Sequence, residues 1–323
     1  MKTLLVLLVS LGVVAGAEPV MMPQVKGPWW PIAGMPDLGK LNDPKQQPVD
    51  FAVWQAADGT WQVMSCIRKT KEPGRTRLLY QWEGPDLTAK NWAQKGIALQ
   101  ARESLGESRG GLQAPHVIRV GDQFHLFYGD WANICSARSK DGKTFERHVL
   151  KSGKTGLFHE ESEGQALDPV TIAKGGNHAR DPMLVKINDR WHCYYSANMK
   201  GKGAVYCRTS TDLETWSDSK VVAFGGQSGD GPYSAECPFV VELSKGEFYL
   251  FRTQVYGEKA KTSVYHSRDP MGFGINQDDG HFIGTMALAA PELVQHKGEW
   301  YIVALEPKLN GIRAAKLAWE KAK

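Results

Sequence analysis

The chain has 323 residues, a formal net charge of +4 and 23% charged residues. That balance is too weak and too dispersed to argue for a nucleic-acid or anionic-membrane binder. Eleven Trp and ten Tyr supply large apolar faces, enough for a sizeable core.

Met1-Lys2-Thr3 precedes an apolar run from Leu4 to Val14 that ends in Ala15-Gly16-Ala17. This is the layout of a secretory signal over residues 1–17 with a small-residue cleavage site, and the run is too short to span a bilayer. The expected product is secreted or periplasmic, with no membrane partner. Residues 18–48, Pro- and Gly-rich with Pro28-Trp29-Trp30-Pro31 and no clear periodicity, read as an N-terminal arm packing against the body. Residues 49–323 read as one domain. Helical patterns are scarce, and short runs of Val, Ile, Phe, Tyr and Trp broken by Gly, Asp and Asn favour an antiparallel all-β protein.

Those runs repeat. Pro182 with Trp191, Pro115 with Phe124 and Pro291 with Trp300 are marker pairs nine residues apart, while Pro238 with Phe248 and Phe51 with Trp61 add one residue, which makes five copies. Each copy reads as an inner strand, a polar turn, an aromatic strand and a third strand ending in an Asp turn, such as Ser139-Lys140-Asp141-Gly142 or Ser210-Thr211-Asp212-Leu213. Asp in such a turn accepts backbone hydrogen bonds, so these turns, and Asp269 of Arg268-Asp269-Pro270, are structural. Repeats of this size, each a small antiparallel sheet, fit a five-bladed β-propeller whose first strands line a central channel.

Ahead of the first marker stand Asp50, Ala114, Asp181, Glu236 and Ala290. In one shared register, Asp50, Asp181 and Glu236 converge on the channel from blades one, three and four. Long connections at about 100–113, 151–180, 225–235 and 276–289 enter the inner strands and are expected to wall a cleft on that face. Glycosidic cleavage needs one acid to protonate the leaving oxygen and one carboxylate to activate water or attack the anomeric carbon. Glu236, with the longer reach, is assigned the acid, Asp50 the base or nucleophile, and Asp181 the modulator whose charge raises the acid's pKa. Arg68, His116, Trp131, His178, Tyr233 and Arg252 are candidate substrate contacts, each with an ordinary structural role as the alternative. The expected partner is a carbohydrate, and nothing marks a particular oligomeric state.

Five cysteines leave at least one thiol unpaired or paired outside the chain. Cys193 and Cys207, on successive strands, suit a cross-strand disulfide or two buried thiols equally. The sequence has no CxxC pair, no dedicated calcium loop and no assigned metal site. No cofactor is required, although carboxylates around a channel leave room for a structural Ca²⁺.

With Asp50 in blade one, Arg180-Asp181-Pro182 in blade three and Glu236-Cys237-Pro238 in blade four, the chain resembles the five-bladed propeller glycoside hydrolases of family 43 and the related families 62, 32 and 117. The resemblance implies the same three roles and a hydrolase acting on a polysaccharide or oligosaccharide. Asn42-Asp43-Pro44 mimics the fructosidase nucleophile motif, but Asp43 lies 18 residues before Trp61, whereas Asp50 lies 11 before it, in register with Asp181 and Glu236. Family 32 enzymes also carry a C-terminal β-sandwich, and this chain ends at Lys323 after its fifth repeat. Both departures weigh toward the inverting families; a retaining fructosidase-like enzyme and a non-catalytic carbohydrate-binding propeller are the alternatives.

Overall fold

Runs of β-branched and aromatic residues closed by Gly, Asp or Asn pair as strands throughout a computed structural model, which describes residues 19–160, 179–199 and 201–322. Strand β1 is Met21–Ala33. Blade one holds β2 (Gln47–Gln55), β3 (Trp61–Arg68), β4 (Leu78–Gly84) and β5 (Ala93–Leu99). Blade two holds β6 (Gln113–Val120), β7 (Gln123–Gly129) and β8 (Ile134–Ser139), with β9 (Glu146–Arg147) and β10 (Gly156–Phe158) both on β8. Blade three holds β11 (Arg180–Ile187), β12 (Arg190–Met199), β13 (Lys202–Ser210) and β14 (Lys220–Phe224). Blade four holds β15 (Glu236–Ser244), β16 (Glu247–Val255), β17 (Lys261–Ser267) and β18 (Phe282–Met286), and blade five β19 (Glu292–His296), β20 (Glu299–Leu305) and β21 (Ile312–Lys321). The protein is a five-bladed all-β propeller. Among the described residues no helix is long and apolar enough to cross a membrane. Residues 1–17 and His178 lie outside the described residues.

The arm expected over residues 18–48 takes a different form. Strand β1 is the outermost strand of blade five, antiparallel to β21 from Met21↔Lys321 to Ala33↔Ile312. Pro23, Pro28 and Pro31 hide its period, yet an edge strand needs only one side of its backbone paired and so tolerates proline. Register shifts at Lys26/Trp30 and Pro31/Ala33 absorb the irregularity. The end of β1 also reaches blade one: Asn91 N donates to Pro31 O at 3.0 Å and Trp92 N to Ile32 O at 2.7 Å. Ile32 is 0% exposed in the core shared by these blades, so Ile32→Ala is expected to lower stability by about 2–4 kcal/mol in urea unfolding; a loss under half that would mean the seam is not part of the cooperative core.

One feature recurs at the head of each inner strand. Asp50 (φ 40°), Ala114 (44°), Asp181 (56°), Cys237 (46°) and Ala290 (49°) all adopt the left-handed region, and the ladder slips there, between Val49/Phe51, Gln113/His116, Arg180/Met183 and Glu236/Phe239. Such a bulge bends the strand and re-aims its side chains, here at a cost of roughly 1–3 kcal/mol for each strained residue.

The Asp turns are structural, as expected. Asp141 Oδ1 accepts Lys143 N at 2.8 Å and Thr144 N at 3.0 Å, Asp212 Oδ1 accepts Thr215 N at 2.7 Å, and Asp269 Oδ1 accepts Met271 N at 2.8 Å. All five cysteines are free thiols. Cys207 is opposite Tyr194 and Cys193 opposite Arg208, so the pair is one residue out of register and the two side chains fall on opposite faces of the sheet.

Candidate active site

The left-handed position identifies what the repeat places on the axis. In blade four it is Cys237, so Glu236 stands one residue earlier than the shared register expected. It shares its position with Arg180 and Gln113 instead. A one-residue shift changes the face a side chain addresses, and the acids therefore occupy two levels. Asp50, Asp181 and Cys237 form the lower one, with one donor atom from each lying within 4.8 Å of the others. Glu236 and Arg180 stand above, Arg180 Nε donating to Glu236 Oε1 at 2.8 Å.

Both levels open into one pocket of about 300 Å³, lined by Asp50, Asp181, Glu236, three arginines and three aromatics along with Gln113. Asp50 Oδ1 accepts the Tyr256 hydroxyl at 2.8 Å and the Cys237 thiol at 3.2 Å. Asp181 Oδ2 accepts Cys237 N at 3.0 Å, which ties blade three to blade four. Both Arg180 bonds to Glu236 fall on Oε1, so Oε2 is left for a proton. Burial works against the Arg180 charge, but Glu236 and Asp181 outweigh it and raise its pKa. Burial, then the charge on Asp50, pushes Tyr256 and Cys237 well above their ordinary ranges.

Burial, then the charges of Glu236 and Asp50, raises the Asp181 carboxyl to about 7, against 3.8 for a free aspartate. The unfolded chain releases this proton as pH rises through about 4, while the folded protein keeps it to about 7. Stability from this group is therefore complete below pH 4 and lost across that window. Asp181→Asn, whose amide oxygen still accepts Cys237 N, is expected to flatten the fall in urea midpoint between pH 4 and 7; an unchanged slope would mean Asp181 ionises normally.

Arg68, Trp131 and Tyr233 reach the pocket. Tyr233 is 57% exposed at the rim, and Trp131, at φ 83°, lies under the Arg75 and Arg77 guanidinium groups at 4.2 and 5.0 Å. His116 does not reach it. Its Nε2 lies 3.2 Å from Leu184 O and its Nδ1 3.8 Å from Glu292, in an axial cavity below the acids. Arg252 is also elsewhere: fully buried in blade four, it donates from Nε to Ser234 O at 3.0 Å and from Nη1 to Gly225 O at 3.3 Å, propping the loop that carries Tyr233. Residue order gives no depth, and Arg252 on β16 points into the sheet packing.

Sequence reading missed Gln113, Arg77, Arg180 and Tyr256 as pocket residues. Arg77 and Tyr256, like Trp131, lie between the second and third strands of a blade. In an antiparallel sheet that turn rises on the same face as the connection entering the first strand, and this was the usable signal. As metal ligands, two carboxylates and a thiol held protonated by burial do not fit Ca²⁺, which takes six to eight oxygens. The axial cavity adds only His116 and Glu292 to Asp50, Asp181 and Cys237, and an imidazole and a thiol are poor partners for Ca²⁺, which takes oxygen ligands.

The model of the glycosyl hydrolases family 32 N-terminal domain matches residues 81–304, a span that holds Asp181 and Glu236 but begins after Asp50. A probable sucrose-6-phosphate hydrolase of Psychromonas ingrahamii is 26% identical over 74% of this chain, and the chain spans 41% of that relative's length. Among solved structures, the endo-arabinase from Bacteroides thetaiotaomicron has a TM-score of 0.61 at 13% identity, covering 86% of this chain and 96% of that one. A thermostable family-43 glycoside hydrolase has a TM-score of 0.60 at 18% identity, covering 86% and 90%. At these identities the two structures speak for the fold.

Proposed function

The chain belongs to the family of the glycosyl hydrolases family 32 N-terminal domain, and from that membership we propose that its pocket hydrolyses a glycosidic bond in an oligosaccharide or polysaccharide. The observation carrying this reading is that Asp50, Asp181 and Glu236 open into one pocket. A purely carbohydrate-binding propeller has no use for three partly buried carboxyl groups so close together.

Glu236 protonates the leaving oxygen through Oε2, its other oxygen being held by Arg180. Asp50, with Oδ1 fixed by Tyr256 and Cys237, presents Oδ2 to the reacting carbon or to water. Asp181 modulates both, and when protonated it donates to a sugar hydroxyl. In the first reading of stereochemistry Asp50 acts as base on water and the anomeric centre inverts. Family 32 membership favours a second, in which Asp50 attacks directly and water resolves a covalent intermediate with retention. The fructosidase-like version that uses Asp43 loses support, because Asp43 sits in a surface turn accepting Lys45 N at 2.9 Å and is not a pocket residue. Export through the segment 1–17 completes the reading.

Incubation with arabinosides, xylosides, fructosides, galactans and anhydrogalactose oligosaccharides, followed by proton NMR, tests it. Turnover of at least one class supports hydrolysis, and the first anomer formed separates inversion from retention. No turnover across the panel would count for the binding-module alternative.

A further inference from the structure

Two of the pocket's three guanidinium groups lack a carboxylate. Arg180 is held by Glu236. Arg68 donates from Nε only to an amide, Gln47 Oε1, at 3.0 Å. Arg77 has Cys66 Sγ at 3.9 Å from Nη1 and the Trp131 ring at 5.0 Å. Among the described residues neither forms an ion pair. Arg68 is half-buried, and Arg77 feels Asp50 and Glu236 without pairing with either; a guanidinium withdrawn from water without a paired anion is costly.

The wall that carries them is tightly built. Arg75 N donates to Arg109 O at 3.0 Å and Arg77 N to Gly110 O at 2.9 Å. The two loops interlock at Gly74 (φ +88°) and Gly110 (φ +60°), where a Cβ would come within 2.3 Å of Arg109 O and Pro73 O respectively. The face of the Trp131 ring lies beneath the Arg77 guanidinium.

We infer that Arg68 and Arg77 form a subsite for an oxyanion carried by the sugar, so that the substrate class is an anionic saccharide bearing a sulfate, phosphate or carboxylate group. This rests on the hydrolytic reading above. A guanidinium fork matches such a group in bidentate geometry, and a neutral sugar hydroxyl does not return the same energy. Both arginines belong to blade one with Asp50, whereas Glu236 belongs to blade four. The oxyanion accordingly sits on the sugar whose anomeric carbon faces Asp50, and not on the leaving group.

Isothermal titration of the full protein with sodium phosphate, sodium sulfate or sodium glucuronate, at ionic strength held constant with sodium chloride, tests the subsite. One saturable site is expected for at least one of the three, and the tightest identifies the group. Arg77→Gln and Arg68→Gln are each expected to weaken that binding about ten-fold or more, the scale of a lost charge-assisted hydrogen bond. Arg77→Lys, which keeps charge without the fork, is expected to fall between wild type and Arg77→Gln. Should Arg77→Gln fail to fold, Arg68→Gln and Arg77→Lys carry the comparison. Absence of saturable binding for all three anions, or binding unchanged in the arginine variants, overturns the proposal. Anion binding that depends on Arg68 and Arg77, together with no turnover of any substrate class, would defeat the hydrolytic reading while leaving the oxyanion site standing.

Discussion

Glu236→Gln is expected to lower kcat/KM by about 10³-fold, within the 10²–10⁴ range for loss of a general acid. The substitution is close to isosteric. Gln keeps an oxygen to accept the Arg180 Nε bond now made at 2.8 Å, so the fold and the tie between blades three and four survive. What is lost is the proton on the second oxygen. The deficit should therefore depend on the leaving group: substrates releasing 4-nitrophenolate, which departs without protonation, lose far less than natural glycosides. Thermal unfolding would confirm the fold, and a uniform loss across leaving groups, or wild-type turnover, would remove Glu236 from the acid role.

Asp50→Asn is expected to cost more, roughly 10⁴-fold in kcat, as for a removed nucleophile or its base. Asn is the informative choice because Asp50 sits at φ 40°, a region Asn enters readily. The amide oxygen also still accepts the Tyr256 hydroxyl now at 2.8 Å. Asp50→Ala confounds the comparison, since it strains the bulge and leaves a buried hydroxyl and thiol without their acceptor, at about 1–3 kcal/mol. Asp43→Asn is the control, expected to leave kcat/KM within about two-fold because the Asp43 carboxylate makes only a local turn bond, to Lys45 N. If the Asp43 variant were the dead one and Asp50→Asn active, the repeat register would have chosen the wrong carboxylate.

The register itself was legible because it is a packing repeat: five inner strands and five aromatic partners recur at nearly fixed spacing whatever else the sequence does. It separated Asp50 from Asp43 and assigned Asp269 to a turn. Glu236 was aligned one residue off in blade four: Cys237 immediately precedes Pro238, as Asp181 precedes Pro182 and Asp50 precedes Phe51, and the left-handed backbone follows that order. Arg252 and His116 were misplaced for another reason: the sequence shows their strand but not whether they look into the sheet packing, the channel or the pocket. Strand β1 was hidden by its prolines, which only an outer strand can carry, and its partner lies at the far end of the chain.

That last pairing sets a limit on how the molecule assembles. Met21 meets Lys321, so the ring cannot close until the chain has been made through Lys321, and four blades must wait with an open flank. The entropy of bringing such distant segments together grows only slowly with length, but the search is a slow non-local event. Strand β1 also bonds to Trp92 of blade one, and blade one supplies Asp50. A protease cut within Met21–Ala33 is therefore expected to loosen the pocket without removing a single residue that lines it, because it unfastens the blade that carries Asp50.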